Sequence, residues 1–321
     1  MKTIVIAAGY ATRLGELTKN FPKPLLKIGD STILDRMLDD IDRIPDIDEH
    51  IIVTNHKFAH IFEDWAKERQ SSTPPSSANL PPLRGTERVR RFRKPITIID
   101  DGTETNDTRL GAVCDLILAI NGGIIPGDKQ FSTVKQASKR AQNEASFSYA
   151  ERERFAEGNS QCSTVNVQTS NLKPQTSIQD DLLVVAADNI LFFSFQEFVD
   201  FAKAKKTSCI MCHEQPSIEK LQRTGVVELD ENNRVLGMEE KPEHPKSHWA
   251  VPPFYIYRKE DLDLVRHSVE NGCGKDAPGN LAHYMVEHTT MHAWPMSAGR
   301  FDIGSLDTYY EACSLAKEGK L

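Results

Sequence analysis

Two cations stand close together near the start of the chain, Arg13 and Lys23. Arg13 lies in the small-residue loop Gly9-Tyr10-Ala11-Thr12-Arg13-Leu14-Gly15, which follows the apolar run Ile4-Val5-Ile6-Ala7-Ala8. Lys23 sits in Phe21-Pro22-Lys23-Pro24-Leu25-Leu26. A small-residue loop at the end of a buried strand lets backbone N–H groups approach a ligand closely. With two fixed positive charges beside it, such a loop suits a triphosphate. It is neither a P-loop, since no Gly-x-x-x-x-Gly-Lys-Ser/Thr is present, nor the dinucleotide Gly-x-Gly-x-x-Gly, since Ala11 replaces the second glycine and Arg13 follows. A second apolar run, Leu182 to Ala187, ends in Asp188. An acid at the C-terminal tip of a parallel strand faces the ligand crevice of an open sheet.

The elements that must position these groups alternate. Ile4–Ala8 reads as a buried strand, and Ile33, Leu34, Met37, Leu38, Ile41 and Ile44 form a helical stripe with Asp30 or Ser31 as N-cap. His50–Thr54 reads as a strand, and Phe58, Ile61, Phe62, Trp65 and Ala66 follow at helix spacing. Ile96–Asp100 restores the sheet and Leu110–Ile120 a buried helix. Strand–helix alternation predicts an α/β fold, a parallel sheet with helices on both faces. Further on, Phe195, Phe198, Val199 and Ala202 mark a helix and Ser208–His213 a strand. Gly225–Asp230 and Arg234–Lys241 read as a hairpin turning at Asp230–Asn233. Trp249–Tyr257 reads as one more strand, Leu281–Val286 as helix, and Ser305 as the cap of a last helix with Leu306, Tyr309, Tyr310 and Cys313 on its buried stripe. Two polar stretches interrupt the rhythm. Residues 71–95 are Ser- and Pro-rich and end in the basic run Arg84 to Lys94; residues 122–181 are long, polar and poor in large apolar side chains, with Ser132–Glu157 weakly helical.

The net charge is −7 and the pI about 5.8, which disfavours nucleic acid or an anionic membrane as main partner. No apolar run reaches the ~20 residues of a membrane span, and the N-terminus enters a strand at once, so a soluble cytoplasmic protein is expected. The cysteines, Cys114, Cys162, Cys209, Cys212, Cys273 and Cys313, are scattered. Cys209 and Cys212 have the gap of a metal or redox pair, but in a strand they point to opposite faces and are expected to be buried thiols. His56 and His60 are expected to be an incidental surface pair.

The first stretch resembles the signature of the sugar-phosphate nucleotidyltransferases: strand, Ala-Gly-x-Gly-Thr-Arg-Leu, then Pro-Lys-Pro-Leu-Leu. Ala8, Gly9, Thr12, Arg13, Leu14, Pro22, Lys23, Pro24, Leu25 and Leu26 match it, and Ala11 departs from it. Asp188-Asn189, the Glu239-Glu240-Lys241-Pro242 hairpin end and Asp302-Ile303-Gly304 follow in the family's order. The resemblance implies a Rossmann-like single catalytic domain over 1–321, a mixed, mainly parallel sheet, and a smaller sugar-binding β subregion near 208–300. It implies that Ala8, Gly9, Thr12, Arg13 and Lys23 hold the nucleotide, with Gly111 bordering its base and Asp188 nearby. It implies that Gly225 and Glu240 touch the sugar, Lys241 its phosphate, and that Asp188 and Asp302 share Mg²⁺. Pro252-Pro253 stands where the family carries a glycine beside the sugar.

The implied reaction is attack of a sugar 1-phosphate oxygen on the α-phosphorus of a nucleoside triphosphate, releasing pyrophosphate. A phosphate monoester is largely ionised at neutral pH, with its second pKa near ~6, so no general base is required. Arg13 and Lys23 are the expected catalytic cations, acting by positioning and charge neutralisation. dTTP or UTP with glucose 1-phosphate is the favoured pairing. Cytidylyl or guanylyl transfer to phosphocholine or mannose 1-phosphate, and a non-catalytic nucleotide sensor, are the alternatives. Whether the chain forms a homo-oligomer is left open.

Overall fold

The computed structural model describes residues 1–71, 93–123 and 177–321. The four strands β1 (Lys2–Ile6), β2 (Lys27–Ile28), β3 (Ser31–Thr32) and β4 (Glu49–Thr54) come first, then β5 (Ile96–Asp100), β6 (Leu182–Ala186), β7 (Asn189–Leu191) and β8 (Ser208–Glu214). The hairpin β9 (Gly225–Leu229) and β10 (Val235–Glu240) follows, then β11 (Trp249–Val251), β12 (Phe254–Tyr257), β13 (Met291–Pro295) and β14 (Arg300–Asp302). The main sheet has ten strands in the order β10-β9-β11-β8-β12-β6-β1-β4-β5, with β13 alongside β8. The run β6-β1-β4-β5 is parallel throughout, which is where the apolar β-branched segments predicted it. Beyond β6 the pairings are antiparallel except for β13 on β8.

Period-two alternation sends neighbouring side chains to opposite faces, and each face has its own core. Ile4, Val184, Ile210 and Cys212 pack on one face with α4 (Ala112–Ile120). Val5, Val185, Cys209 and Met211 pack on the other with α2 (Ile33–Ile41), α3 (His56–Ser71) and α5 (Phe195–Lys205). Cys209 and Cys212 are thus on opposite faces, free and buried, and burial pushes both thiols up to about 12. Among the described residues no helix is long and apolar enough to cross a membrane.

Several boundaries differ from expectation. α2 is capped by Thr32, whose Oγ1 accepts from the Asp35 N–H at 2.9 Å, and not by Asp30 or Ser31. The short β2–β3 hairpin occupies that position instead. α3 runs through Ser71, so the first polar stretch begins one residue later. Trp249–Tyr257 is two strands. Pro252 and Pro253 cannot donate to a ladder, and β11 pairs with β9 and β8 while β12 pairs with β6 and β8. The last helix, running from Leu306 to Lys317, is capped by Ser305 as expected, but Leu306 and Tyr310 are exposed and Ala312 is its buried residue. The weak helix of 132–157, Cys162 and the arginines from Arg84 to Arg91 lie outside the described residues.

Candidate active site

The loop after β1 is held from both sides. Asn55, fully buried, donates from Nδ2 to the Ala8 carbonyl at 3.0 Å and accepts from the Phe58 N–H at 3.1 Å, tying the loop to the start of α3. Thr18 Oγ1 donates to the Ala11 carbonyl at 2.9 Å. Ala11 has φ 46° and ψ 40°, the left-handed conformation that glycine adopts without cost. The backbone therefore turns as a glycine would, and the departure at Ala11 changes strain rather than shape. Gly9, Thr12 and Arg13 are exposed, and a Cβ placed at Gly9 would meet no atom within 4 Å.

Lys23 opens a short 3-10 turn, Lys23–Leu25, between two prolines that fix the local φ. Its side chain is 11% exposed, and Nζ donates to Asp188 Oδ2 at 3.0 Å. The other oxygen of Asp188 accepts from Asn189 Nδ2 at 2.7 Å, and Arg300 donates to Asn189 Oδ1. β14 lies antiparallel on β7 with Asp302 opposite Asn189, and the Ile303 N–H donates to the Asp188 carbonyl at 3.0 Å. Crowding by protein raises the Asp302 carboxyl above its ordinary range, an effect weakened by the 56% of its side chain that stays exposed; the charge of Asp188 raises it further, and Arg300, Lys23 and Arg13 pull the other way. Two carboxylates and three cations therefore share one field. The reason is a third small core of Leu14, Leu26, Ile28, Ile33, Ile190, Ile303 and Ala312. Each functional group has an anchor in it or just beside it: Arg13 next to Leu14, Lys23 near Leu26, Asp188 near Ile190, Asp302 next to Ile303.

The second group forms at the end of the hairpin. Glu240 is opposite Gly225 in the β10–β9 ladder, and Lys241 Nζ stands 3.7 Å from Glu240 Oε1. Lys241 is exposed and has φ 52°, a strained value for a residue other than glycine, with its N–H donating to the Thr224 carbonyl at 3.0 Å. Burial raises the Glu240 carboxyl, offset by Lys241. Both groups lie at one rim of the sheet. Gly225 is opposite Val251, Pro252-Pro253 follow, and the Ala186 N–H donates to the Pro253 carbonyl at 3.2 Å, two residues from Asp188. The prolines that split the expected strand therefore bridge the two groups.

Gly111 immediately precedes α4. It has φ 94°, and a Cβ there would lie 2.6 Å from the Lys275 carbonyl oxygen. The Lys275 and Asp276 carbonyls accept from the Val113 and Ala112 N–H groups at 3.0 and 3.3 Å, so a loop caps α4 where no side chain does. The glycine is required by this contact.

Sequence reasoning passed over a further cluster at the tips of β4 and β5. Asp101 is fully buried, and its Oδ1 accepts from the Thr103 N–H at 2.7 Å and from Thr103 Oγ1 at 2.8 Å. Tyr10 OH lies 3.1 Å from Thr103 Oγ1, and since that hydroxyl already donates to Asp101, Tyr10 donates to it. Burial pushes Asp101 up to about 7, against the Thr103 hydrogen bonds. His56 Nδ1 is 2.6 Å from Asp100 Oδ2, so His56 is an ion-pair partner rather than an incidental surface residue. An acid at a strand tip was the signal used for Asp188, and Asp100-Asp101 carries it too.

A family model described as nucleotidyl transferase matches the chain over residues 2–156 and 120–319. The chain belongs to the nucleotidyl transferase family. It is 27% identical over 154 residues to a glucose-1-phosphate adenylyltransferase of Lachnospira eligens, covering 46% of this chain and 36% of that one. It is 28% identical over 141 residues to a glucose-1-phosphate thymidylyltransferase of Neisseria meningitidis, covering 43% and 48%. Each match thus spans less than half of the relative's length. A solved structure of UDP-glucose pyrophosphorylase complexed with UDP-glucose superposes with a TM-score of 0.64 at 16% identity, covering 99% of this chain and 98% of that one, which establishes the shared fold.

In this family member the donor set fits a divalent cation. Asp188 and Asp302 are hard oxygen donors close enough to repel one another, and Mg²⁺ takes few protein carboxylates, with water and phosphate completing its shell. Among the described residues no group of three or more His, Cys, Asp or Glu forms a larger cage.

Proposed function

We propose that the protein transfers a nucleotidyl group from a nucleoside triphosphate to a sugar 1-phosphate, releasing pyrophosphate. The observation that carries this reading is the Lys23–Asp188 pair, at 3.0 Å, sharing its field with Asp302, Arg300 and Arg13 beside an exposed backbone loop. Gly9 and Thr12 present that loop to the triphosphate. Arg13 and Lys23 neutralise its oxygens and the charge gathering on the departing pyrophosphate. Lys241 receives the phosphate of the incoming sugar, and Glu240 accepts hydrogen bonds from the sugar hydroxyls. Asp188 and Asp302 would hold Mg²⁺, which when bound supplies charge neutralisation to the phosphate oxygens. The attacking phosphate is already ionised at neutral pH and needs no base from the chain.

Glucose 1-phosphate is favoured as acceptor because both named relatives and the UDP-glucose neighbour share glucose. Their bases differ, and dTTP or UTP is the favoured donor. A matrix of four ribonucleoside triphosphates and dTTP against glucose, mannose and galactose 1-phosphates and phosphocholine, read by pyrophosphate release, tests the proposal. Turnover with glucose 1-phosphate supports it. Turnover with phosphocholine alone, or binding of triphosphate without turnover on any acceptor, refutes it.

A further inference from the structure

The first turn of the helix Pro278–His288, here α8, reaches the sugar end of the site through the one residue that lacks a side chain. A Cβ placed at Gly279 would overlap Glu240 Oε2 outright and lie 2.7 Å from its Cδ. A Cβ at Gly225 would stand 3.2 Å from the same Oε2 and 2.8 Å from Met238 Cε. Glu240 is therefore wedged against two glycines far apart in sequence. The wedge is fixed to the rest of the molecule. His283 Nδ1 bonds the Met238 carbonyl, binding α8 to β10, and the loop before the helix caps α4 through Lys275 and Asp276. The helix starts at Ala277 without a side-chain cap.

The carboxylate held there is poorly served. Its side chain is 17% exposed, burial raises its pKa, and among the described residues its ion partner is Lys241 at 3.7 Å. A carboxylate kept from water with spare acceptor capacity gains most from a ligand that brings O–H donors. Its direction then decides which hydroxyls it can reach.

We propose that Gly279 is a positioning residue for the sugar: by leaving its Cβ volume empty it makes room for the Glu240 carboxylate, so that the first turn of α8 sets the direction in which Glu240 meets the acceptor. This rests on the reading of Glu240 as a sugar-hydroxyl acceptor. A methyl group at 279 cannot be accommodated by shifting backbone, since the helix start is held by the β10 and α4 contacts, so the carboxylate must swing out.

The test is a double-mutant cycle on the full chain with Gly279→Ala, Glu240→Ala and the pair, measuring KM for glucose 1-phosphate, KM for the triphosphate and thermal melting. Glu240→Ala alone is expected to raise the sugar-phosphate KM at least tenfold; a change within twofold removes the sugar reading of Glu240 itself. Given that rise, Gly279→Ala alone is expected to raise the same KM by about tenfold and leave the triphosphate KM within twofold. In the Glu240→Ala background it is expected to add nothing to KM and nothing to melting, because there is no carboxylate left to displace. An equal loss of melting temperature in both backgrounds, or an unchanged sugar-phosphate KM in Gly279→Ala, overturns the role of Gly279 and leaves that of Glu240 standing. Where Gly279→Ala alone does not fold, comparing the pair with Glu240→Ala still decides: a soluble pair melting with its parent supports the wedge, and a pair that also fails to fold refutes it.

Discussion

Replacing Gly111 with alanine is expected to destabilise the protein by about 2–5 kcal/mol. The first contribution is local. At φ 94° and ψ 150° the backbone is in a region open to glycine and costly for other residues, about 1–3 kcal/mol. The second is collision. The new methyl would lie 2.6 Å from the Lys275 oxygen, 2.9 Å from its carbonyl carbon and 3.2 Å from Asp276 Cα. All three are backbone atoms with no rotamer to take up the strain, so the segment must retreat, and overpacking of this kind costs about 1–3 kcal/mol. Retreat also lengthens the hydrogen bonds that cap Ala112 and Val113, each worth about 1 kcal/mol. Alanine's stiffer unfolded chain returns about 0.4–1 kcal/mol.

Against a total stability of about 5–15 kcal/mol this is a large loss, and in a chain of this size it lowers the melting temperature by about 3–7 °C. Urea unfolding at neutral pH and a thermal melt give both numbers. A loss below about 1 kcal/mol would refute the reasoning, because it would mean that residues 275–276 do not dock on the start of α4. A site-side role for Gly111 would leave stability nearly untouched and act on the triphosphate KM alone, so the experiment also separates the two accounts of this glycine.

On the proposed reading Lys23→Ala is expected to lower kcat by about 10²-fold or more, since it removes a buried cation and leaves Asp188 only its Asn189 hydrogen bond, while the melt shows the protein still folded; near-normal kinetics would take Lys23 out of the reaction. Tyr10→Phe deletes one hydrogen bond to Thr103 and is expected to raise the triphosphate KM several-fold with the sugar-phosphate KM unchanged, checked by initial rates with each substrate varied in turn. Asp101→Asn is expected to flatten part of the pH dependence of stability. The folded carboxyl is raised to about 7 while the unfolded one titrates near its ordinary value, so the folded chain binds more protons between about pH 4 and 7, and stability falls as pH rises through that window. The His56–Asp100 pair acts in the same direction at higher pH, since a histidine whose folded pKa is raised contributes fully below its unfolded pKa and is lost as pH rises through the folded one. Denaturant midpoints at pH 5 and 8 should therefore differ less in the variant than in the parent.

The parts of this protein that were legible in advance were those that the local chain decides by itself. β1, β4 and β6 are buried apolar runs of strand length, and β1 pairs in parallel with both of the others. The opposite facing of Cys209 and Cys212 followed from strand geometry alone. Arg13, Lys23 and Asp188 stood out by residue type and position and Asp302 by motif order, and the structure groups them in one field through the small core of Leu14, Leu26, Ile190 and Ile303. What stayed hidden depends on partners distant in sequence. The Pro252-Pro253 break looked like a departure from a sugar-binding strand, whereas its geometry, with the Ala186 N–H on the Pro253 carbonyl, joins the hairpin to the tip of β6.

The glycines make the same point more sharply, because a glycine in a sequence does not say what occupies the space that it leaves. Gly9 faces open space. Gly111 faces the backbone of residues 275–276, and Gly225 and Gly279 both face the Glu240 carboxylate. These contacts run in sequence: the loop that caps α4 over Gly111 continues within three residues into the turn that holds Gly279 against Glu240. The start of α4 and the end of the β9–β10 hairpin are thus joined by a single stretch of backbone, residues 275–279. A change at Gly111 should consequently be felt first at Glu240, as a rise in the sugar-phosphate KM of those Gly111→Ala molecules that fold, measured well below their melting temperature. An unchanged sugar-phosphate KM there would show that the turn holding Gly279 keeps its place without the cap on α4, and the two ends of the site would then be independent.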